Sequence, residues 1–186
     1  IAEDPGPALW IMPAESLARS FSETRLQPSL GDCQPCAEQI PKHRDRFKLL
    51  EMHFADMSLN LCGANSPGQL SSRPIRSLFP DEIDQFPDAG AKEAGALELA
   101  KVRTTTFWNA KLILTSTPTV PGGQIWQAYE AGSQHCFFVK CPHCLHPQQL
   151  LFGQLKWPTT PETKPDGEWN LDAVERLTEY ECTSCG

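Results

Sequence analysis

What the sequence lacks narrows the reading first. No apolar run approaches the ~20 residues that a membrane-spanning helix needs. The opening IAEDPGPALW has neither an initiator methionine nor the basic-then-apolar plan of a secretory signal. Positive charge is scarce: 16 Lys and Arg against 23 Asp and Glu leave a formal charge of −7. That balance excludes a broad electrostatic footprint on nucleic acid and leaves room only for a local one, and the one dense basic cluster is KHRDR, Lys42 to Arg46. No G-x-x-x-x-G-K-[S/T] occurs between Ile1 and Gly186, so these residues carry no phosphate cradle of that type. What is present is ordinary for a globular chain: 40% hydrophobic and 21% charged, with 186 residues to build one sizeable core and a small appendage. The chain starts without Met and stops in YECTSCG, directly after a cysteine pair, so we expect both ends to lie inside a longer protein.

Eight cysteines invite a disulfide reading, but their spacing favours a metal. CPHC (Cys141, Cys144) and CTSC (Cys182, Cys185) are two pairs of two-residue spacing, 37 residues apart. Each C-x2-C turn aims two thiolates at one ion, and two turns complete the tetrahedral set of a zinc ribbon, which we read as favoured over disulfides. The separation exceeds the usual ~15–20 residues, so an insertion is expected between the knuckles. The Pro- and Thr-rich stretch Lys156 to Asn170 is the obvious loop. Four thiolates satisfy zinc, so His143 and His146 are expected to be exposed and not ligands. CQPC (Cys33, Cys36) has no matching second pair and reads as structural or incidental. Cys62 and Cys136 sit in apolar runs and are expected in the core.

Along the chain, apolar periodicity alternates between strand and helix. ALWIM (Ala8 to Met12) reads as a strand and AESLARSFSETRL as a helix. Phe47 to His53 and Met57 to Cys62 read as two strands bent at ADM, and ANSPGQLSSRP as turn chemistry around at most one helical turn. IRSLFPDEID is a strand with an acidic end, AKEAGALELAKVR a helix, and AKLILTSTP another buried strand. GGQIWQAYEAG places Ile125, Trp126 and Tyr129 on one helix face, and HCFFVK begins the ribbon. Such alternation implies an α/β fold, a mostly parallel sheet covered on both faces, whose ligands bind at the carboxyl ends of the strands.

Two strand ends carry polar residues that a core does not require. Asp81 and Glu82 follow Ile75, Leu78 and Phe79; about 35 residues on, Thr115, Ser116 and Thr117 follow Ile113 and Leu114. In P-loop ATPases, one carboxylate ending a strand holds magnesium through water, the next orients the attacking water, and a Ser/Thr segment on a neighbouring strand senses the γ-phosphate.

In order along the chain, ALWIMPAESLARSFSETRLQP, ANSPGQLSSRPIRSLFPDEID, AKLILTSTPTVPGG and FFVKCPHC…LLFGQLKW…YECTSCG resemble the large terminase subunit of tailed phages, the GpA class of lambda-like phages. The resemblance runs through most of the chain. It implies a P-loop NTPase-like sheet, partial here because the phosphate loop lies upstream of ALWIM in that family. Residues 1–134 would be the later part of an ATPase domain and 135–186 a zinc-ribbon-like segment, with the nuclease domain beyond. It implies ATP with Mg2+, and Zn2+ on the ribbon. The partners implied are double-stranded DNA, the small terminase subunit and the capsid portal. A homo-oligomeric motor in the host bacterial cytoplasm is implied, with no membrane.

Carried over residue by residue, Asp81 would be the magnesium-side carboxylate and Glu82 the catalytic one. Ser116 and Thr117 would lie in the segment that senses phosphate and couples hydrolysis to movement. Arg73 in SSRP falls where related motors carry an arginine that touches nucleotide or DNA; an ordinary surface arginine is the alternative. Pro80 departs from the aliphatic residue that the family favours, which implies either that the strand ends at Phe79 or that the site is remodelled. The competing readings are a zinc-ribbon module that binds DNA or a capsid partner without hydrolysis, and a degenerate prophage ATPase. On the motor reading, these residues alone do not turn over ATP.

Overall fold

Strand β1 (Ala8–Met12) shows why the sheet is sandwiched: none of its residues is left to solvent, the strand packs apolar side chains to both sides, and Ile11 is fully buried. The structure, a computed structural model, describes residues 3–70, 72–87 and 95–186. It divides into two compact units, 1–132 and 133–186.

In the first unit, β1 is followed by α1 (Glu15–Phe21), a π turn over Ser22–Leu26, α2 (Gln27–Asp32) and α3 (Gln34–Ala37). Pro28, which offers no N–H to an α ladder, is the second residue after the π turn. Ser22 is fully buried there and donates its hydroxyl to Leu49 O at 2.5 Å. Next come β2 (Glu51–His53), β3 (Ser58–Gly63), the single turn α4 (Pro67–Leu70), β4 (Ser77–Pro80), α5 (Ala96–Val102), β5 (Lys111–Leu112) and α6 (Gln124–Ala131). The sheet order is β2-β3-β1-β4-β5; only β2 runs antiparallel to its neighbour.

Alternation along β1 feeds two cores. Leu9 and Ile11 join Cys62, Leu70, Ile75, Leu78, Ile83 and Ala100 on the face covered by α4 and α5. Ala8, Trp10 and Met12 join Ala18, Leu30, Met52, Phe54 and Leu61 on the face covered by α1 and α2. Trp10 lies between Phe21 and Phe79, with ring centroids 4.8 and 5.5 Å away. The β1–α1 turn packs onto Gly63. A Cβ there would lie 2.5 Å from Glu15 N and 2.9 Å from the Ala14 carbonyl carbon, so glycine is required for this close approach.

Several expectations are corrected. AKLILTSTP is not a buried strand: β5 pairs only with β4 among the described residues, and Lys111, Leu112 and Ile113 are exposed because it forms the edge. The first of the paired strands begins at Glu51, with Phe47 reduced to an isolated bridge to Met52. β4 does not end at Phe79 but runs through buried Pro80. The first residues of AKEAGALELAKVR, 91–94, lie outside the described residues. Arg76, unremarked in the sequence, is buried and pairs with Asp4, which Lys111 also reaches at 2.6 Å. These partners, Arg76 first, pull the Asp4 carboxyl down to about 2.

The second unit has two short antiparallel ladders, β6 (Val139–Lys140) with β7 (Pro147–Gln148) and β8 (Leu155–Lys156) with β9 (Glu179–Tyr180), and a helix α7 (Leu171–Leu177). Asn170 caps α7 by accepting from Ala173 N. The expected loop is therefore partly structured: Thr163 is fully buried and donates to Pro158 O at 2.6 Å. Cys62 is buried as expected, but Cys136 is exposed, since the run before β6 has no core to enter within this unit. No helix among the described residues is long and apolar enough to cross a membrane.

Candidate functional site

The acidic residues stand where β4 leaves the sheet. Asp81 N–H donates to Ile11 O at 2.8 Å, and Thr115 N–H donates to Pro80 O at 3.1 Å, so the parallel register sets Asp81 opposite Thr115. The Asp81 carboxylate accepts the Thr115 hydroxyl at 2.7 Å and Glu82 N–H at 3.1 Å, both on Oδ1. Oδ2 takes no hydrogen bond among the described residues. Glu82 has left-handed backbone, φ 55° and ψ 47°, a conformation that a non-glycine residue adopts at a cost and that recurs at functional sites. Its Oε2 accepts from Gln85 Nε2 at 3.1 Å and from Thr117 N at a long 3.4 Å, and Oε1 has no partner among the described residues.

The third carboxylate is different. Asp84 accepts Ile125 N–H on Oδ1 at 2.8 Å, and Thr119 N–H and hydroxyl on Oδ2 at 3.2 and 3.4 Å. It caps the start of α6 from another part of the chain, and these backbone donors, Ile125 first, hold its carboxyl below the ordinary carboxylate range. Its own N–H donates to Ser116 Oγ at 3.1 Å, while Gln124 Nε2 donates to Ile83 O at 3.0 Å. Gly123 makes room: a Cβ there would meet an Asp84 carboxylate oxygen at 2.5 Å. Residues 116–125 are thereby latched to the acidic strand end.

The structure thus brings together Asp81, Glu82, Ser116 and Thr117 from the sequence-derived set. Arg73 is not brought to them. It bonds Glu51 at 2.8 Å and Asn60 Oδ1 at 3.2 Å. Asn60 is level with Leu9, three residues back from Met12 along the parallel strands. Sequence reasoning misses Thr115 as the partner of Asp81 and Asp84 as the latch. The strand period is the signal that could find the first, because a Thr directly opposite the acidic end is fixed by register. No local signal marks the second, whose partners lie 35 to 41 residues away.

The four paired cysteines converge. Their Sγ atoms lie within 4.8 Å of one another, with Cys141–Cys185 at 3.8 Å and Cys144–Cys182 at 3.7 Å. A tetrahedron with metal–sulfur bonds of ~2.3 Å has edges of about 3.8 Å, so the thiols fit a tetrahedral ion. Both knuckles are built alike: Leu145 N–H donates to Cys141 O at 2.9 Å and Gly186 N–H to Cys182 O at 3.1 Å. The donor residue has positive φ in each, 60° and 84°. The N–H groups of Cys144 and His143 draw the Cys141 thiol down to about 6, while the neighbouring Cys144 and Cys182 thiols push Cys185 up to about 12. Buried Gln148 joins the knuckles, accepting from Thr183 N–H at 3.0 Å and from Gln154 Nε2 at 3.3 Å. His143 and His146 are exposed, as expected. Cys33 is exposed and Cys36 half-buried, and neither joins a metal-type cluster among the described residues.

A mostly parallel sheet flanked by helices, with polar residues gathered at its carboxyl ends and a four-cysteine cluster in a second unit, is an α/β architecture of the terminase ATPase kind. The chain belongs to the phage terminase large subunit gpA family: the family model of the ATPase domain matches residues 1–186. The chain is 27% identical over 176 residues to the terminase large subunit of Enterobacteria phage P21, covering 88% of this chain and 27% of that protein. With the terminase large subunit of Escherichia phage lambda it shares 26% over 164 residues, covering 85% of this chain and 25% of the relative. The chain therefore spans about a quarter of the length of these relatives. The solved large terminase of a thermophilic bacteriophage shares the fold at a TM-score of 0.50 and 16% identity, covering 69% of this chain and 30% of that one.

The Asp84 latch is open to test in the complete protein. Asp84→Ala should raise hydrogen exchange at Thr119 and Ile125 about 2- to 30-fold at neutral pH, the range of a lost helix cap, with exchange in β1 and β3 unchanged. Because the folded-state pKa of Asp84 is lowered, its contribution is present above the ordinary carboxylate range and lost as pH falls through the depressed value. Protection in 116–125 should therefore persist at pH 5 and fail on stronger acidification. Unaltered exchange in the variant would show that other contacts hold the segment.

Proposed function

We propose that the chain is the later part of the ATPase engine of a phage DNA-packaging motor, carrying the acidic pair but not the phosphate loop. The reading rests on one observation above others: Asp81 and Glu82, at the carboxyl end of a parallel sheet, are each hydrogen-bonded through one oxygen to the Ser/Thr strand end beside them. On this reading Asp81, steadied by Thr115, would be the residue that holds magnesium. Bound magnesium supplies charge neutralisation on the β- and γ-phosphates of ATP. Glu82 orients the attacking water. Thr117 N–H, in long contact with Glu82, and Ser116, bonded to Asp84 N–H, belong to the segment that carries the consequence of hydrolysis into α6.

Residues 1–134 would be the partial ATPase domain and 135–186 the ribbon, in a homo-oligomer working on double-stranded DNA with the small terminase subunit and the capsid portal in the host cytoplasm. The nuclease is assigned to chain outside these residues. The 186 residues alone are expected to be inactive, since their sequence holds no G-x-x-x-x-G-K-[S/T] loop to position the phosphates.

Two measurements test this. In the complete protein, Glu82→Gln should leave ATP affinity nearly unchanged and lower single-turnover hydrolysis by ~10²–10⁴, as for removal of a positioned general base. Asp81→Asn should weaken magnesium–nucleotide binding as well. Unchanged hydrolysis in Glu82→Gln would leave the binding-module reading standing.

The ribbon is assigned zinc on the S···S distances. Elemental analysis should find about one zinc per chain, and Cys144→Ser should release it and loosen 133–186. A folded, zinc-free ribbon with four free thiols would refute the assignment.

A further inference from the structure

The basic cluster of this acidic chain is ordered and unneutralised. Lys42, Arg44, Arg46 and Lys48 stand against the single carboxylate of Asp45, in a protein whose formal charge is −7. Lys42 to Arg46 are exposed, and Arg44–Arg46 form a 3-10 turn closed by Arg46 N–H to His43 O at 3.1 Å and Phe47 N–H to Arg44 O at 3.0 Å. Apolar anchors hold the turn on both sides. Ile40, Phe47 and Leu50 pack against the core under α1, and the Phe47 ring meets Phe54 edge-on at 5.8 Å. Phe47 bridges Met52, which seats the turn along the outer edge of β2. Gln27 Nε2 ties Lys48 O back to α2 at 3.4 Å, and Lys48 N–H donates to Glu51 O at 2.9 Å.

Pairing sets this cluster apart from most of the other described cations of the unit, Arg25 and Arg103 excepted. Arg19, Arg73, Arg76, Lys101 and Lys111 each have a carboxylate partner. Lys42, Arg44, Arg46 and Lys48 have none among the described residues. A solvated charge run on a frayed loop would be bland, but here hydrophobic anchors hold a turn with four cations in seven residues, and like charges so near in sequence repel unless a polyanion relieves them. The outward side chains of 42–46 include no apolar one, whereas protein interfaces take their energy from buried aromatic and aliphatic anchors. Guanidinium groups are suited to phosphate oxygens.

We propose that the 42–48 turn is a contact for the phosphate backbone of double-stranded DNA. It binds without reading sequence, because backbone contacts position and do not specify. The identity of the polyanion as DNA rests on the motor reading above; the presence of a polyanion site does not. The site lies at the β2 edge, three strand spacings from β4, about 14 Å from the strand that bears Asp81 and Glu82, so a DNA strand held there is separate from the nucleotide site.

The test is the salt dependence of random-sequence duplex binding by the complete protein, read beside ATP hydrolysis without DNA. Lys42→Gln/Arg44→Gln/Arg46→Gln should lower the slope of log K against log salt by about 2–3, near 0.9 for each phosphate no longer neutralised, and weaken binding at least about tenfold at low salt. DNA-free hydrolysis should stay as in the unmodified protein. Arg44→Lys/Arg46→Lys, which keeps the charge, should keep most of the slope.

An unchanged slope in the triple variant overturns the proposal. So does a variant that loses binding to a protein partner while its DNA slope is intact. If the slope falls as expected in a protein that hydrolyses no ATP, the DNA surface stands and the motor reading fails. If hydrolysis is present and the slope is unmoved, the reverse holds.

Discussion

The acidic strand end depends on one register. β1, β4 and β5 run parallel, and the β4–β5 register carries on past the short β5 to an isolated bridge that sets Asp81 and Thr115 side by side, with Asp81 N–H on Ile11 O and Thr115 N–H on Pro80 O. A slip of one residue in β4 would turn Leu78 out of its core and carry Asp81 away from the Thr115 hydroxyl. Pro80 survives in this register because its carbonyl, and hence the donor it lacks, faces β5. That side of the ladder is already short, two residues long, and β5 is the edge among the described residues, where a missing donor is tolerated. The odd proline is thus compatible with an intact acidic end.

How much of this is legible in the sequence follows from which signals are local. β1 is readable to the residue because its apolar run is bounded by Pro7 and Pro13, and the single turn at Pro67–Leu70 because its flanks are turn formers. The cysteine cluster is readable because the two-residue spacing is itself a geometry, and the four sulfurs converge as that spacing requires. β5 is misread because an apolar strand shows its period but not its place in the sheet order. The same Leu112 and Ile113 that would be core in a central strand are exposed at an edge. Cys136 is misread for a related reason: it lies near the start of a unit too small to bury its neighbours, and Phe137 and Phe138 are 85% and 57% exposed. α7 goes unread because the Pro- and Thr-rich composition before it suggests a loop, while its cap, Asn170, is a single residue.

The two units solve different problems with the same economy of local structure. In the first, long-range register assembles the site, and no short stretch contains it. In the second, each knuckle is a self-contained turn, with its donor at the fourth residue after the leading cysteine and a left-handed residue at that position. Leu145 takes this conformation despite its Cβ, which a side chain accepts only where surrounding contacts enforce it; glycine at 186 takes it without that cost. Around the sulfurs, Gln148, Gln154, Tyr180 and Thr183 form a hydrogen-bonded frame, with Tyr180 OH donating to Gln154 Oε1 at 2.5 Å. The Cys185 thiol is pushed up by the neighbouring Cys144 and Cys182 thiols, whereas the Cys141 thiol is drawn down chiefly by the N–H groups of Cys144 and His143.

The stretch DEID is best understood through what each of its three carboxylates has left to give. Asp84 has none: three donors take both of its oxygens, its carboxyl is held low by them, and it serves as a structural cap for α6. Asp81 is half committed, with Oδ1 taken by Thr115 and its own neighbour's N–H. Glu82 is the least committed: its one firm partner is Gln85, and its backbone is held in a left-handed position that a side chain disfavours. Saturation therefore separates a structural acid from two available ones within four residues, a distinction that sequence alone does not draw. The strain at Glu82 has a use in this arrangement: the left-handed turn ends β4 abruptly, swings Asp84 under the start of α6, and leaves Glu82 facing Thr117, so a displacement of Glu82 would be felt first at the segment that Asp84 holds in place.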